Sequence, residues 1–73
     1  MEFLLDKIKK NDNEELRLTL QKFRSRHYID IRTYRIDTGY PSHKGAMIRL
    51  DQLSALKTAI ATAEKIILEN NLI

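Results

Sequence analysis

Seventy-three residues with no cysteine and a net charge of +3 make one domain, and a domain of this size buries only about 60% of its unfolded surface. No disulfide and no thiolate metal site is available, and His27 and His43 are too few for a structural zinc; of the usual supplements to a small core, self-association is the one that remains. No run approaches the roughly 18 apolar residues that span a bilayer, and Phe3-Leu4-Leu5 is too short for a signal-peptide core, so the expectation is an intracellular chain without a membrane partner.

Glu2 to Lys9 fits two readings, because Phe3, Leu4, Lys7 and Ile8 share a helical face while neither strand alternation is clean. Lys10-Asn11-Asp12-Asn13 ends the segment: Asn and Asp bond their own backbone and tolerate left-handed turns. From Glu15 to Phe23, Leu16, Leu18 and Leu20 alternate with Arg17, Thr19 and Gln21, the pattern of an antiparallel strand with one wet face. Arg24-Ser25-Arg26 is short enough for a hairpin turn. Tyr28 to Arg35 is β-branched and aromatic with charge at intervals of two, and is predicted as the central strand. Ile29 and Ile31 point to the core there, and Asp30, Arg32 and Tyr34 to a wet, basic face. Thr33 and Arg35 share the parity of the isoleucines, so either the strand leaves the core near Thr33 or a bulge resets it.

Asp37 to Ser42 reads as the longest loop, with Pro41 arguing against a central strand. Lys44 to Arg49 resumes as a strand, and Gly45 marks a bulge or a close backbone approach. From about Leu50 the period becomes helical. Leu53, Leu56, Ile60, Ala63 and Ile67 form one stripe, Asp51 is the expected N-cap and Asn70-Asn71 the stop. The fold class is therefore α+β: a sheet over about residues 2–49, and a helix over about 50–70 that covers its apolar side. Ala55, Ala59, Ile66 and Leu68 widen the helix's apolar surface beyond the needs of one thin sheet. The expectation is a homodimer contact through the stripe; the alternative is a helix sunk deeply into its own sheet.

Charge is unevenly spread. Residues 17–49 carry eight Lys and Arg against Asp30 and Asp37, a net +6, while residues 1–16 and 50–73 are net −2 and −1. A concentrated basic block is the footprint of a polyanion binder, and equally that of a solvated sheet face. Unpaired nucleic acid is held by cations that track phosphates and by aromatic rings that stack on bases; Phe23, Tyr28, Tyr34 and Tyr40 are interleaved with this block. No nucleophile, base and orienter set can be assembled, Gly39 and Gly45 stand alone rather than in a phosphate loop, and Asp30 and Asp37 read as salt-bridge partners. Enzyme function and a cofactor are not expected.

The run Tyr28-Ile29-Asp30-Ile31-Arg32-Thr33-Tyr34, a short loop, then Lys44-Gly45 before an alternating strand and an amphipathic helix, resembles the positive cofactor four family of transcriptional coactivators, in a prokaryotic or phage-like form. The resemblance covers roughly residues 14–68. It implies a four-stranded, curved antiparallel sheet with one C-terminal helix, dimerising through the helices and laying basic sheets on single-stranded DNA. It also makes Glu2 to Lys9 a strand. Carried over by position, Phe23 and Arg24 look like base and phosphate contacts, and Arg32 and Lys44 like backbone contacts. Arg17, Lys22, Arg26, Tyr34 and His43 complete the candidate surface. Arg35 stands where the eukaryotic pattern has a stacking tryptophan, and Gln21 where it has a basic residue; a guanidinium can also lie flat on a base. The eukaryotic members' Ser-rich acidic arm has no counterpart, so a eukaryote-like coactivator role is not implied. The expected function is single-strand binding with little sequence preference, in transcription, replication or repair, in the cytoplasm or on the nucleoid. RNA polymerase or another transcription protein is a candidate partner. The alternative is an interaction module for an acidic partner, and an RNA-binding sheet is a third reading.

Overall fold

The computed structural model describes residues 2–73. β1 (Glu2–Lys9), β2 (Glu14–Phe23), β3 (Arg26–Arg35) and β4 (Pro41–Arg49) form one antiparallel sheet in the order β1-β2-β3-β4. A 3-10 turn, Leu50–Gln52, leads into α1 (Leu53–Glu69). The two central strands pair without interruption from Glu14↔Arg35 to Phe23↔Arg26. Because cross-strand partners share a face, this register sorts the sheet into two sides. Leu16, Leu18 and Leu20 lie with Ile29, Ile31 and Thr33; Arg17, Thr19, Gln21 and Phe23 lie with Arg26, Tyr28, Asp30 and Arg32.

Local chemistry fixes the connections. Asn11 Oδ1 accepts from the backbone N–H groups of Asn13 and Glu14, each at 2.9 Å, which closes the β1–β2 turn. The β2–β3 hairpin turns on Arg24 and Ser25 alone, both with positive φ (50° and 65°), as a two-residue primed turn requires. Pro41 opens β4 on the sheet's edge, where its missing N–H leaves no gap in the ladder. At the far end of α1, Asn71 adopts φ 53°, with Leu72 N–H bonded to Ile67 C=O at 3.0 Å and Asn71 N–H to Leu68 C=O at 3.3 Å. This is the paired closure of a Schellman motif.

Two expectations are corrected. Asp51 is not the N-cap: it lies inside the 3-10 turn with its carboxylate on Arg49 Nε at 3.1 Å, and α1 starts at Leu53 behind Gln52, which makes no side-chain cap. Nor does α1 cover the leucine and isoleucine face, or sink into its own sheet. It leaves edge strand β4 through a three-residue turn and makes almost no contact with the strands. No apolar residue is buried among the described residues; the only buried ones are Asp30 and Thr19. The radius of gyration, 14.3 Å, accordingly exceeds the roughly 11 Å of a compact chain of this length.

Candidate nucleic-acid interface

The polar side of the sheet is built from pairs of residues two apart on a strand, whose side chains emerge from the same face. Arg17 and Arg32 are cross-strand partners, and like charges placed directly opposite destabilise a sheet. Each is offset by a carboxylate on its own strand. Arg17 Nε donates to Glu15 at 2.6 Å; Arg32 Nε and NH2 donate to the two oxygens of Asp30, both at 3.1 Å. Those bonds to Asp30 are the main reason that the Arg32 guanidinium holds its proton more tightly than an ordinary arginine. Arg17 also lies over the Tyr34 ring, 4.3 Å from its centroid, a cation–π contact that occupies one face of that ring.

The same two-residue spacing recurs at the sheet's ends. Arg35 binds Asp37 through Nε and NH2 at 3.0 and 2.9 Å, and Arg49 binds Asp51. Four sheet arginines are thus committed to carboxylates. Among the described residues, Lys22, Arg24, Arg26 and Lys44 of the candidate cations form no such pair. Lys22, Arg24 and Arg26 surround the β2–β3 turn, where Phe23 is 55% exposed and Arg24 lies 5.2 Å from its ring. Lys44 is exposed in the irregular part of β4.

The structure therefore brings Phe23, Arg26, Arg17, Arg32 and Tyr34 onto one face. Arg24 and the paired turn cap one end of that face. A depression of about 600 Å³ on the same side is lined by Gln21, Asp30, Arg32, Tyr34, Tyr40 and His43, among others. Lys22 and Arg35 fall on the other face, with the leucines and isoleucines, because the β2–β3 register has no bulge. The stacking position that Arg35 was expected to inherit is thus turned away and closed by Asp37. Of the helix stripe expected to meet a second copy, Leu53, Leu56 and Ile67 are half-buried, and Ile60 and Ala63 are exposed. Tyr40, one of the four rings interleaved with the basic block, lines the depression, whereas the pairing of Glu15 with Arg17 was not expected. Glu15-x-Arg17 was the available signal for that pair.

Among the described residues no group of three or more His, Asp or Glu is placed to hold a metal ion, and no helix is long and apolar enough to cross a membrane. An open meander with one trailing helix defines an α+β domain, here with a polar, aromatic-bearing face. The family described as Transcriptional Coactivator p15 (PC4) matches residues 10–59, more than half of the chain, and the chain belongs to that family. No curated protein matches it. Among solved structures, a PC4 homologue from Burkholderia pseudomallei superposes with a TM-score of 0.79 over 85% of this chain and 88% of its own, at 22% identity. A second crystal form gives 0.80 over 88% and 98%, at 19% identity. The bacteriophage T5 homologue of the eukaryotic coactivator, implicated in recombination-dependent DNA replication, gives 0.56 over 99% and 81%, at 21% identity. At these identities the likeness is one of fold.

Proposed function

We propose that this chain is a homodimer that binds single-stranded DNA with little sequence preference, as an accessory of transcription or of replication and repair, without catalysis of its own. The observation that carries the reading is the β2–β3 tip: an exposed Phe23 flanked by Arg24 and Arg26, neither tied to a carboxylate. From that tip the polar face runs about 27 Å along β3 to Tyr34, a track for phosphates and stacked bases. The stripe Leu53, Leu56, Ile60, Ala63 and Ile67 supplies the dimer contact, since it makes almost no contact with its own sheet and leaves Ile60 and Ala63 exposed. The T5 homologue's implication in replication supports a role in DNA transactions.

The test is titration of labelled oligothymidine and a matched duplex at several salt concentrations. Three free cations per subunit on or beside that face, Arg24, Arg26 and Lys44, set a log–log slope of about −2 for a strand held by one subunit and about −4 for one that crosses both, at roughly −0.7 per phosphate contact. Phe23→Ala is expected to weaken binding by about 1–3 kcal/mol, the worth of one base–aromatic stack. A flat slope, or preference for duplex, would sink the reading. Failure of oligothymidine where an acidic polypeptide binds would favour a protein-interaction module on the same surface.

A further inference from the structure

The Arg32 guanidinium is engaged on three sides. Besides its two bonds to Asp30, NH1 donates to the Ser42 carbonyl at 2.8 Å. Its flat face lies against Gly45, its cross-strand partner, where a Cβ would stand 2.7 Å from Cζ and 2.9 Å from Nε. Asp30, at the centre of the sheet, is 2% exposed, and a carboxylate at that depth needs its cation in place. Between the pairs Arg32↔Gly45 and Tyr34↔Pro41, β4 takes four steps to β3's two. Ser42, His43 and Lys44 therefore stand outside the regular ladder, and the Ser42 carbonyl is taken up by Arg32. His43 lines the depression beside Arg32.

We propose that Arg32, Asp30 and Gly45 form a clip that fixes the Ser42–Lys44 bulge, and that Arg32 acts on nucleic-acid binding as a positioning residue through His43 and Lys44. The binding half of this rests on the single-strand reading above; the clip does not.

Two variants disturb the clip in different ways. Arg32→Gln removes the donors and the charge. Gly45→Ala keeps the charge and displaces the guanidinium, because the atoms that its methyl meets are the free end of a side chain. Without DNA, lysyl endopeptidase reports on the bulge by cleavage after Lys44, with Lys22 in the β2–β3 hairpin as internal reference. Both variants are expected to speed cleavage at Lys44 about fivefold or more relative to Lys22, as local opening does. No change, or equal acceleration at both sites, overturns the clip.

Oligothymidine binding is then measured in the native chain and in a His43→Gln/Lys44→Gln background. Either clip variant is expected to weaken binding severalfold in the first and by less than about twofold in the second, the non-additivity of residues that act as a unit. Adding Arg32→Gln to the double background leaves the salt slope unchanged. A direct phosphate contact predicts instead equal losses in both backgrounds, a further slope change of about 0.7, and full affinity in Gly45→Ala; that result overturns the positioning role. If the native chain binds no oligothymidine, the single-strand reading fails while the protease comparison still judges the clip.

Discussion

Asp37, in the β3–β4 loop, accepts Nε and NH2 of Arg35 and the N–H of Thr38. The Arg35 bonds are the main reason that its carboxyl lies below the ordinary carboxylate range, with the Thr38 N–H adding to the effect. A folded-state value below the unfolded one means that the pair's contribution is present above pH about 3.9, the ordinary aspartate value. It is lost as pH falls through the depressed folded value. An NMR titration of the Asp37 side chain is expected to give a midpoint below the ordinary value, and Arg35→Gln to raise it back. A native midpoint at or above the ordinary value contradicts the pairing. Both groups are exposed, so the effect on global stability is small. That Asp30 and Asp37 are salt-bridge partners was legible in the sequence, because each sits among cations; for Asp30 and Arg32 the strand adds a shared face, since residues two apart on a strand point the same way. The same rule commits Arg17 to Glu15, and Arg49 meets Asp51 just past the end of β4, so the +6 block shrinks to a few free cations, three around one hairpin tip and Lys44 in β4.

Elements were legible where alternation is unbroken, as in β2 and the isoleucine half of β3, and illegible where the ladder slips. In β1 the register shifts between Leu4 and Asp6, so Phe3 and Ile8 share the apolar face although their numbers differ in parity. One bulged residue flips every side chain beyond it, and that is why neither alternation fitted the segment. The parity conflict at Thr33 and Arg35 resolves the other way. β3 runs straight against β2, the irregularity sits in β4, and Arg35 lies on the leucine side. The β2–β3 turn places Arg24 and Ser25 in the left-handed region without a glycine. Each such residue costs roughly 1–2 kcal/mol, of which the greater backbone freedom of an unfolded glycine offsets about half. Ser25→Gly is therefore expected to stabilise the chain by about 0.5–1 kcal/mol, read as a higher urea midpoint at fixed protein concentration. An unchanged or lower midpoint shows that the turn is not strained.

For the molecule as a whole, two apolar surfaces are covered only in part by the described residues: the leucine and isoleucine side of the sheet, and the stripe along α1 on which Ile60 is 60% exposed. Length alone pointed to self-association, because a small domain lacks core. What length did not reveal is that α1 withholds its stripe from its own sheet, a consequence of the three-residue exit from an edge strand. A chain with no buried apolar side chain among its described residues has little hydrophobic stabilisation of its own. If a second copy supplies it, folding and association become one equilibrium, and stability then depends on concentration. Tenfold dilution removes about 1.4 kcal/mol of dimer stability, which lowers the thermal midpoint by roughly 2–5 °C for a folding unit of this size. Ile60→Glu puts a charge at the centre of the stripe, where a buried, unpaired carboxylate is costly. It is expected to unfold the chain at concentrations where Ile60→Leu stays folded and dimeric by light scattering. A midpoint independent of concentration, with a monomeric mass, would mean that the stripe is covered by something other than a second copy.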